Sequence, residues 1–345
     1  MHTKRNGWFQ VKRTKRKRRQ RFFCKSCENT FSWKQPRISV GQKRLANDFL
    51  KGKSLRNLVS DESVSKPTVI KSIYQTLGKL PTNLQVARML KPTWSGVLVV
   101  DGKYIRVFDQ YADEETSRGF KHKQCWIIGV DCSTGDIPHE ALASEETMID
   151  LVMFFKYLKS IGYPLKVLVS DGNSDILRAA KLVYKKPFDY QLCVYHFVKG
   201  LPQTTQRLKD LVNRINWALN AKYSNDCFGR ILDIFEREKK YRSKEAKEIF
   251  KKLRNSLGDL TCHFKYDGSV PRTSNPAELT FRELDLRLER FGIFHNFKSA
   301  SAWLHTWSLK RRTTAFTDSR DKSKNKKSPL ELARCKAVER IFKLI

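Results

Sequence analysis

From Trp94 onward, short apolar runs alternate with longer amphipathic stretches, and this alternation limits the possible folds more than any other feature. Short apolar runs between turn residues predict buried strands, and apolar residues repeated every three or four positions predict helices. Strands are predicted at 97–100, 104–108, 125–130, 166–170 and 190–194, and helices at 145–161 and 174–184. The Asp101-Gly102 pair is expected to form a kink between the first two strands.

Three strands, a helix, a strand, a helix and a strand follow one another in the order of a ribonuclease H-like fold. We therefore predict a mixed α/β catalytic domain at residues 93–310, with helices on both faces of a mixed sheet. Residues 199–262 contain charged helical stretches and no convincing strand, which predicts a helical insertion within this domain. A linker is expected at 81–92 and a basic C-terminal tail at 311–345, in which the polar stretch from Arg311 to Lys327 is expected to be mobile.

Residues 39–80 contain three short stretches with helical spacing, which predict a helix-turn-helix DNA-binding domain. In such units the last helix enters the major groove by its N-terminal end. Ser65 and Pro67 favour a helix start at this point. The exposed residues expected to contact DNA are Lys66, Thr68 and Lys71, whereas Val69, Ile70 and Ile73 are expected in the core. An ordinary small helical subdomain is the alternative.

Residues 1–38 are expected to form a basic arm that carries two closely spaced cysteines. Lys and Arg fill most of the stretch from Lys12 to Arg21, within which Arg16 and Arg18 are candidate DNA contacts. Cys24 and Cys27 resemble the second half of a zinc ribbon, and His2 offers a third ligand for Zn²⁺. Because tetrahedral zinc needs four ligands, the arm is described as a partial zinc ribbon. A solvated arm with two free thiols is the alternative.

The charge balance predicts a polyanionic partner. The chain has 68 Lys and Arg against 35 Asp and Glu, a net charge of +33, which favours double-stranded DNA over an anionic membrane. No apolar run approaches the roughly 18 residues of a membrane span. The eight cysteines are scattered along the chain, unlike a secreted disulfide framework, so a reducing cytoplasm is the expected location.

Three carboxylates stand out against this basic background. Asp101 and Asp171 each directly follow a predicted strand, and Glu278 lies where a helix is expected to begin. Phosphoryl transfer often uses two Mg²⁺ or Mn²⁺ ions roughly 4 Å apart, and such ions prefer oxygen ligands. These residues are therefore candidate ligands of two ions, because strand ends and a helix start hold side chains rigidly.

Each of these acids also has a structural interpretation. An aspartate before glycine can simply close a turn, and Asp175 competes with Asp171 for the same role. Asn275, Pro276 and Glu278 have the spacing of a helix N-cap, a first helical proline and a capping box. Glu283 is the alternative if Glu278 only caps the helix.

Four segments, in this order, resemble the Mutator-type transposases of bacterial and archaeal insertion sequences. They are 101–105 (DGKYI), 170–172 (SDG), 193–196 (CVYH) and 272–278 (RTSNPAE), and the later stretch 287–294 (RLERFGIF) also fits. The resemblance covers about residues 94–310, and the Cys-x-x-His and Thr-Ser-Asn-x-x-Glu elements are its most specific parts.

The resemblance implies a catalytic triad of Asp101, Asp171 and Glu278 that holds the metal ions, with Cys193 and His196 in a supporting role near it. The function it implies is a DNA transposase of the prokaryotic nucleoid, which binds terminal inverted repeats, cleaves the element ends and joins them to target DNA. A homo-oligomer is expected because two ends must be handled together. The alternatives are a non-catalytic DNA-binding regulator derived from a transposase, and a structure-specific nuclease of the same fold.

Trp217 lies within the predicted helical insertion. A tryptophan buried in a helix is favoured there over an exposed one that stacks on an unpaired base.

Overall fold

The computed structural model describes residues 3–10, 18–26, 28–32, 41–62, 64–109, 120–289, 294, 296–319, 321–336 and 338. The chain forms two compact units, Met1–Arg44 and Leu45–Ile345. Across the described ranges the architecture is mixed α/β, with 13 α-helices and two sheets. None of the helices in these ranges has the length and apolar character that crossing a membrane requires.

The first unit contains a three-stranded antiparallel sheet in the order β1-β2-β3. The strands are β1 (Thr3–Gln10), β2 (Arg18–Cys24) and β3 (Thr30–Ser32). Cys24 lies at the end of β2, and its N–H donates to the carbonyl of Asn29 at 3.0 Å. His2, Arg16 and Cys27 lie outside the described residues, as does the side chain of Arg18. Zinc binding at Cys24 and Cys27 therefore stays a prediction.

Three helices occupy the region predicted to bind DNA, and a fourth follows them. They are α1 (Gly41–Leu50), α2 (Leu55–Glu62), α3 (Lys66–Leu77) and α4 (Asn83–Leu90). Leu58, Val69 and Ile73 bury the apolar faces of α2 and α3. The expected linker at 81–92 contains α4, which begins with a capping box formed by Thr82 and Gln85. The arrangement of α1–α3 as a helix-turn-helix stays a prediction.

A mixed five-stranded sheet forms the centre of the second unit, in the order β6-β5-β4-β7-β8. Its strands are β4 (Val97–Asp109), β5 (Phe120–Asp131), β6 (His139–Ala143), β7 (Val167–Ser170) and β8 (Asp189–Leu192). β4, β5 and β6 pair antiparallel, whereas β7 pairs parallel with both β4 and β8.

Two strand predictions were wrong. The strands predicted at 97–100 and 104–108 are one continuous strand, β4, because Asp101 and Gly102 pair without interruption with Ile128 and Ile127 of β5. The expected kink at Asp101-Gly102 is therefore absent from β4. The sequence analysis also missed β6, the edge strand that follows β5.

Helices pack on both faces of this sheet. α5 (Met148–Ser160) and α6 (Ser174–Tyr184) connect β6 to β7 and β7 to β8, and they pack against each other. α11 (Asn275–Leu288) and α12 (Phe297–Thr313) contact the antiparallel strands. On β5, Trp126 contacts rings of α11 and α12, whereas Gly129 faces Phe154 of α5. Since alternate residues of a strand point to opposite faces, these helix pairs lie on different sides.

Between β8 and α11 the chain consists of helices joined by short turns and loops, with no strand among its described residues. The helices are α7 (Val194–Lys199), α8 (Gln206–Leu219), α9 (Ser224–Glu236) and α10 (Lys244–Leu260), with short 3-10 helices at Glu238–Lys240 and Cys262–Tyr266. A separate apolar core, from Val194 to Leu260, holds them together. Trp217 is 60% exposed, so the prediction of a buried tryptophan was wrong.

Described residues between Arg311 and Val338 pack into the core instead of extending from it. Arg312 is fully buried in α12, where its guanidinium binds both carboxylate oxygens of Asp136 at 2.8 and 3.0 Å. A 3-10 helix (Lys322–Lys324) and α13 (Pro329–Leu332) follow, and α13 buries Leu330 completely. Part of the segment expected as a basic tail is therefore structural.

Candidate active site

Asp101 and Asp171 lie level with each other on neighbouring strands. The parallel register pairs Val97 with Val167 and Val99 with Val169. Two residues further on, Asp101 is inside β4 and Asp171 directly follows β7. Adjacent strands are about 4.8 Å apart, so this register brings together two carboxylates that are 70 residues apart in the chain.

The turn after β7 positions Asp171 and starts α6. Gly172 has a φ of +100°, and a Cβ there would lie 2.9 Å from a methyl group of Leu192, so glycine is needed for both conformation and space. The backbone N–H of Asn173 donates to Oδ1 of Asp171 at 3.0 Å. Asn173 also accepts from the N–H of Asp175 as the N-cap of α6. The carboxylate of Asp171 is therefore fixed by the same turn that begins the helix.

The pKa of Asp101 is raised by burial and by the charges of nearby carboxylates. Burial is the largest cause that raises the pKa of Asp101, which reaches about 7. The negative charge of Asp171 is the next cause, and Glu146 and Glu278 add smaller repulsions. The N–H of Gly102, which donates to Oδ1 of Asp101 at 2.8 Å, acts in the opposite direction. Four carboxyl groups therefore share one electrostatic environment.

Sequence reasoning missed Glu146, which is part of this environment. A Cβ added to Gly102 would lie 3.3 Å from the carboxyl carbon of Glu146 and 2.9 Å from Sγ of Cys125. Burial and then Asp171 raise the pKa of Glu146, against a hydrogen bond from the side chain of Asn173. Acids before a helix are common for dipole reasons, so nothing local distinguished Glu146 from other helix-start acids.

Glu278 lies in the first turn of α11, as predicted. The N-cap residue is Ser274, which makes no side-chain cap hydrogen bond. Its hydroxyl instead donates to Oε1 of Glu278 at 3.0 Å. The capping box centred on Asn275 is therefore not formed, and the role of Glu278 as a metal ligand stays a prediction.

The two competing acids have other partners. Oε2 of Glu283 accepts from Nε of Arg311 at 2.9 Å, and Oδ1 of Asp175 accepts from Arg178 at 3.3 Å. Neither residue contributes to the raised pKa of Asp101. Asp175 still adds negative charge near the site, because it is among the causes that raise the pKa of Glu146. The choice of Asp171 and Glu278 over these alternatives stays a prediction.

Cys193 and His196 lie at the base of α11. Nδ1 of His196 is 3.3 Å from Sγ of Cys193 and 3.4 Å from Oγ of Ser274. The backbone N–H of Ser274 donates to Sγ of Cys193 at 3.4 Å. Ser274 therefore lies between this pair and Glu278 and contacts all three residues.

The carboxylates are not a preformed metal cage. Within the described part of the chain, no three His, Cys, Asp or Glu side chains are close enough to hold one metal ion. Asp101, Asp171 and Glu278 supply the oxygen donors that hard cations prefer, and the charges of Asp171 and Glu278 both raise the pKa of Asp101. The set matches a divalent cation in donor type, although its side chains are not gathered at one point.

The residues predicted to contact DNA are on the surface of α3. Lys66, Thr68 and Lys71 are exposed, and Oγ1 of Thr68 is 2.9 Å from Oγ of Ser65. Val69 is fully buried on the other side of the helix, so the three polar residues are free of the core. Their contact with DNA stays a prediction.

Comparisons with known proteins identify no family. No family model matches the chain, and no curated protein matches it. Among solved structures, the Drosophila P element transposase strand transfer complex is similar, with a TM-score of 0.30 and 11% sequence identity. That likeness covers 89% of this chain and 92% of the other. A score of this size supports no assignment, so function is inferred from the residues alone.

Proposed function

We propose that the protein is a DNA transposase that binds terminal inverted repeats and catalyses metal-dependent end cleavage and strand transfer. One observation carries the proposal: the charges of Asp171 and Glu278 act on a half-buried Asp101, although these residues come from three separate elements. A carboxylate whose pKa is raised by burial and by neighbouring charge, as for Asp101, is typical of a functional site. The sheet order, 3-2-1-4-5 when its strands are numbered along the chain, supports a ribonuclease H-like fold.

Asp101, Asp171 and Glu278 would hold the ions. Two Mg²⁺ or Mn²⁺ ions, when bound, supply the charge that activates an attacking oxygen and stabilises a leaving one. Without a cation the carboxylates repel one another, and this repulsion adds to burial in raising the pKa of Asp101 to about 7. A divalent cation would relieve this repulsion, which supports the donor set as a metal site.

The rest of the chain supports DNA as the substrate. The net charge of +33 attracts a phosphate backbone, and α3 exposes Lys66, Thr68 and Lys71 for base and backbone contacts. Handling two element ends together would require a homo-oligomer. Chemistry and end binding would then be carried by different parts of the same chain.

The test uses duplexes taken from the DNA that flanks each side of the gene, incubated with purified full-length protein and Mg²⁺. The wild type should cut these ends and join them to plasmid DNA. Asp101→Asn and Glu278→Gln should each lose about 1,000-fold in rate, equivalent to about 4 kcal/mol of barrier. Asp318→Asn is the matched control, because the Asp318 side chain is 93% exposed. Near-native rates in either active-site variant would disprove the triad.

The same assay separates the two alternatives. Cutting without joining would identify a nuclease of the same fold. Metal-independent binding that leaves the DNA intact would identify a DNA-binding regulator.

A further inference from the structure

Ser274 connects the Cys193–His196 pair to the carboxylate of Glu278. Its Oγ is 3.0 Å from Oε1 of Glu278, 3.4 Å from Nδ1 of His196 and 3.5 Å from Sγ of Cys193. Its backbone N–H also points at Sγ of Cys193, at 3.4 Å. Ser274 and Cys193 are both fully buried. A hydroxyl with so many neighbours and no contact with solvent has a defined orientation.

The chemistry of these groups sets the direction of the hydrogen bonds. An ionised carboxylate only accepts, so the Ser274 hydroxyl donates its one proton to Glu278. The hydroxyl oxygen can then accept from Nδ1–H of His196. Each bond in such a chain polarises the next in a buried site. In the tautomer of His196 that carries the proton on Nδ1, the chain runs from His196 through Ser274 to Glu278, and Sγ of Cys193, 3.3 Å from the same Nδ1, is a second acceptor.

An ordinary helix cap does not explain this arrangement. A serine at an N-cap normally accepts a hydrogen bond from a backbone N–H in the first turn, and Ser274 makes no such bond. Its hydroxyl donates to the carboxylate of Glu278 instead.

The same contacts join two distant parts of the chain. The N–H of Val194 donates to the carbonyl of Arg272 at 3.0 Å, beside the bond between Ser274 and Cys193. Helices α8, α9 and α10 lie between these segments in the sequence. The contacts therefore tie the end of β8 to the start of α11, the helix that carries Glu278.

We propose that Ser274 is a positioning residue that, with Cys193 and His196, orients the carboxylate of Glu278 toward a divalent cation. This inference rests on the proposed function. Hydrogen-bond partners of metal ligands typically change metal affinity by about 10- to 100-fold when removed. Ser274 is such a hydrogen-bond partner of Glu278, and His196 in turn contacts Ser274.

The test is a Mn²⁺ titration of the full-length protein without DNA, followed by electron paramagnetic resonance. Ser274→Ala should weaken Mn²⁺ binding about 10- to 100-fold. In a Glu278→Gln background, Ser274→Ala should add little, because the residue acts through the Glu278 carboxylate. His196→Phe should cause a smaller loss that disappears in the Ser274→Ala background.

Thr280→Val is the matched control for a general loss of stability. Thr280 is a fully buried hydroxyl in the same helix, and it donates to the carbonyl of Pro276 at 2.9 Å. Its removal should lower Tm without changing the affinity for Mn²⁺. If Thr280→Val and Ser274→Ala weaken Mn²⁺ binding equally, the effect is structural and the positioning role is wrong.

The remaining outcomes separate this inference from the function on which it rests. If Glu278→Gln weakens Mn²⁺ binding and Ser274→Ala does not, the positioning role fails and the metal site stands. If Glu278→Gln changes nothing, the metal site fails. The contact between Ser274 and Glu278 is then tested by thermal unfolding in EDTA. The Ser274→Ala and Glu278→Ala double variant should lower Tm by less than the sum of the two single losses. Strictly additive losses would refute the contact.

Discussion

Removing the charge of Asp101 should stabilise the metal-free protein at alkaline pH. Burial, and then the charge of Asp171, raise the pKa of Asp101 from 3.8 to about 7. The folded protein therefore keeps a proton that the unfolded chain loses between about pH 4 and pH 7. By linkage, stability falls as pH rises through that range, and the full penalty is present above pH 7. Asp101→Asn removes the ionisable group and with it the penalty.

The magnitude follows from the pKa difference. A change from 3.8 to about 7 corresponds to about 4 kcal/mol at 1.36 kcal/mol per pKa unit. Asp101 is half-buried, and solvent that reaches the carboxylate screens part of this energy. We expect a gain of about 1 to 2 kcal/mol in the free energy of unfolding, and a rise of about 3 °C in Tm.

Thermal unfolding in EDTA, followed by circular dichroism at pH 4.5 and pH 8.5, measures the effect. The gain should be present at pH 8.5 and largely absent at pH 4.5, where the folded wild type already holds the proton. Asp318→Asn, which changes an exposed carboxylate, should leave Tm nearly unchanged at both values. A variant that gains nothing at pH 8.5, or gains equally at both, would refute the electrostatic account of the site.

Three further predictions concern packing, charge and DNA. Gly102→Ala should lower the free energy of unfolding in urea by about 1 to 3 kcal/mol, because its Cβ would meet Cys125 Sγ at 2.9 Å; an unchanged midpoint would contradict that contact. Arg312→Ala should lose about 3 to 5 kcal/mol by the same measurement, because Asp136 stays buried without its partner; a loss below about 1 kcal/mol would argue against it. Lys71→Ala should reduce the salt slope of DNA binding by about 1 in fluorescence anisotropy, and an unchanged slope would exclude a phosphate contact.

The predictable parts of the fold are those that local patterns determine. β7 is fully buried over all four of its residues, and such a run is recognisable as an interior strand. Helices α5 and α6 repeat apolar residues at helical spacing. Glu278 follows a proline where helices commonly begin. In these places local preference and tertiary packing agree.

The missed elements depend on pairing with distant residues. β6 has the sequence HEALA, whose alanine, glutamate and leucine favour helices, and it is a strand because it pairs with β5. Asp101-Gly102 resembles a turn, yet Gly102 lies inside β4 because it pairs with Ile127 of β5, and Cys125 and Glu146 leave no room there for a side chain. Glu146 itself is brought to the site by the position of α5. None of these causes is visible in a short window of sequence.

The three candidate ligands differ in what holds them in the structure. Asp101 and Asp171 are fixed by the register of β4 and β7, which follows from two apolar runs that must pair. Glu278 depends on Ser274, and Ser274 depends on Cys193, a residue 81 positions away. The spacing of 272–278 predicts a helix start equally well with or without catalysis. The Ser274 hydroxyl donates to the Glu278 carboxylate and does not accept from a backbone N–H of the first turn, and this one difference separates the proposed positioning role from an ordinary helix cap.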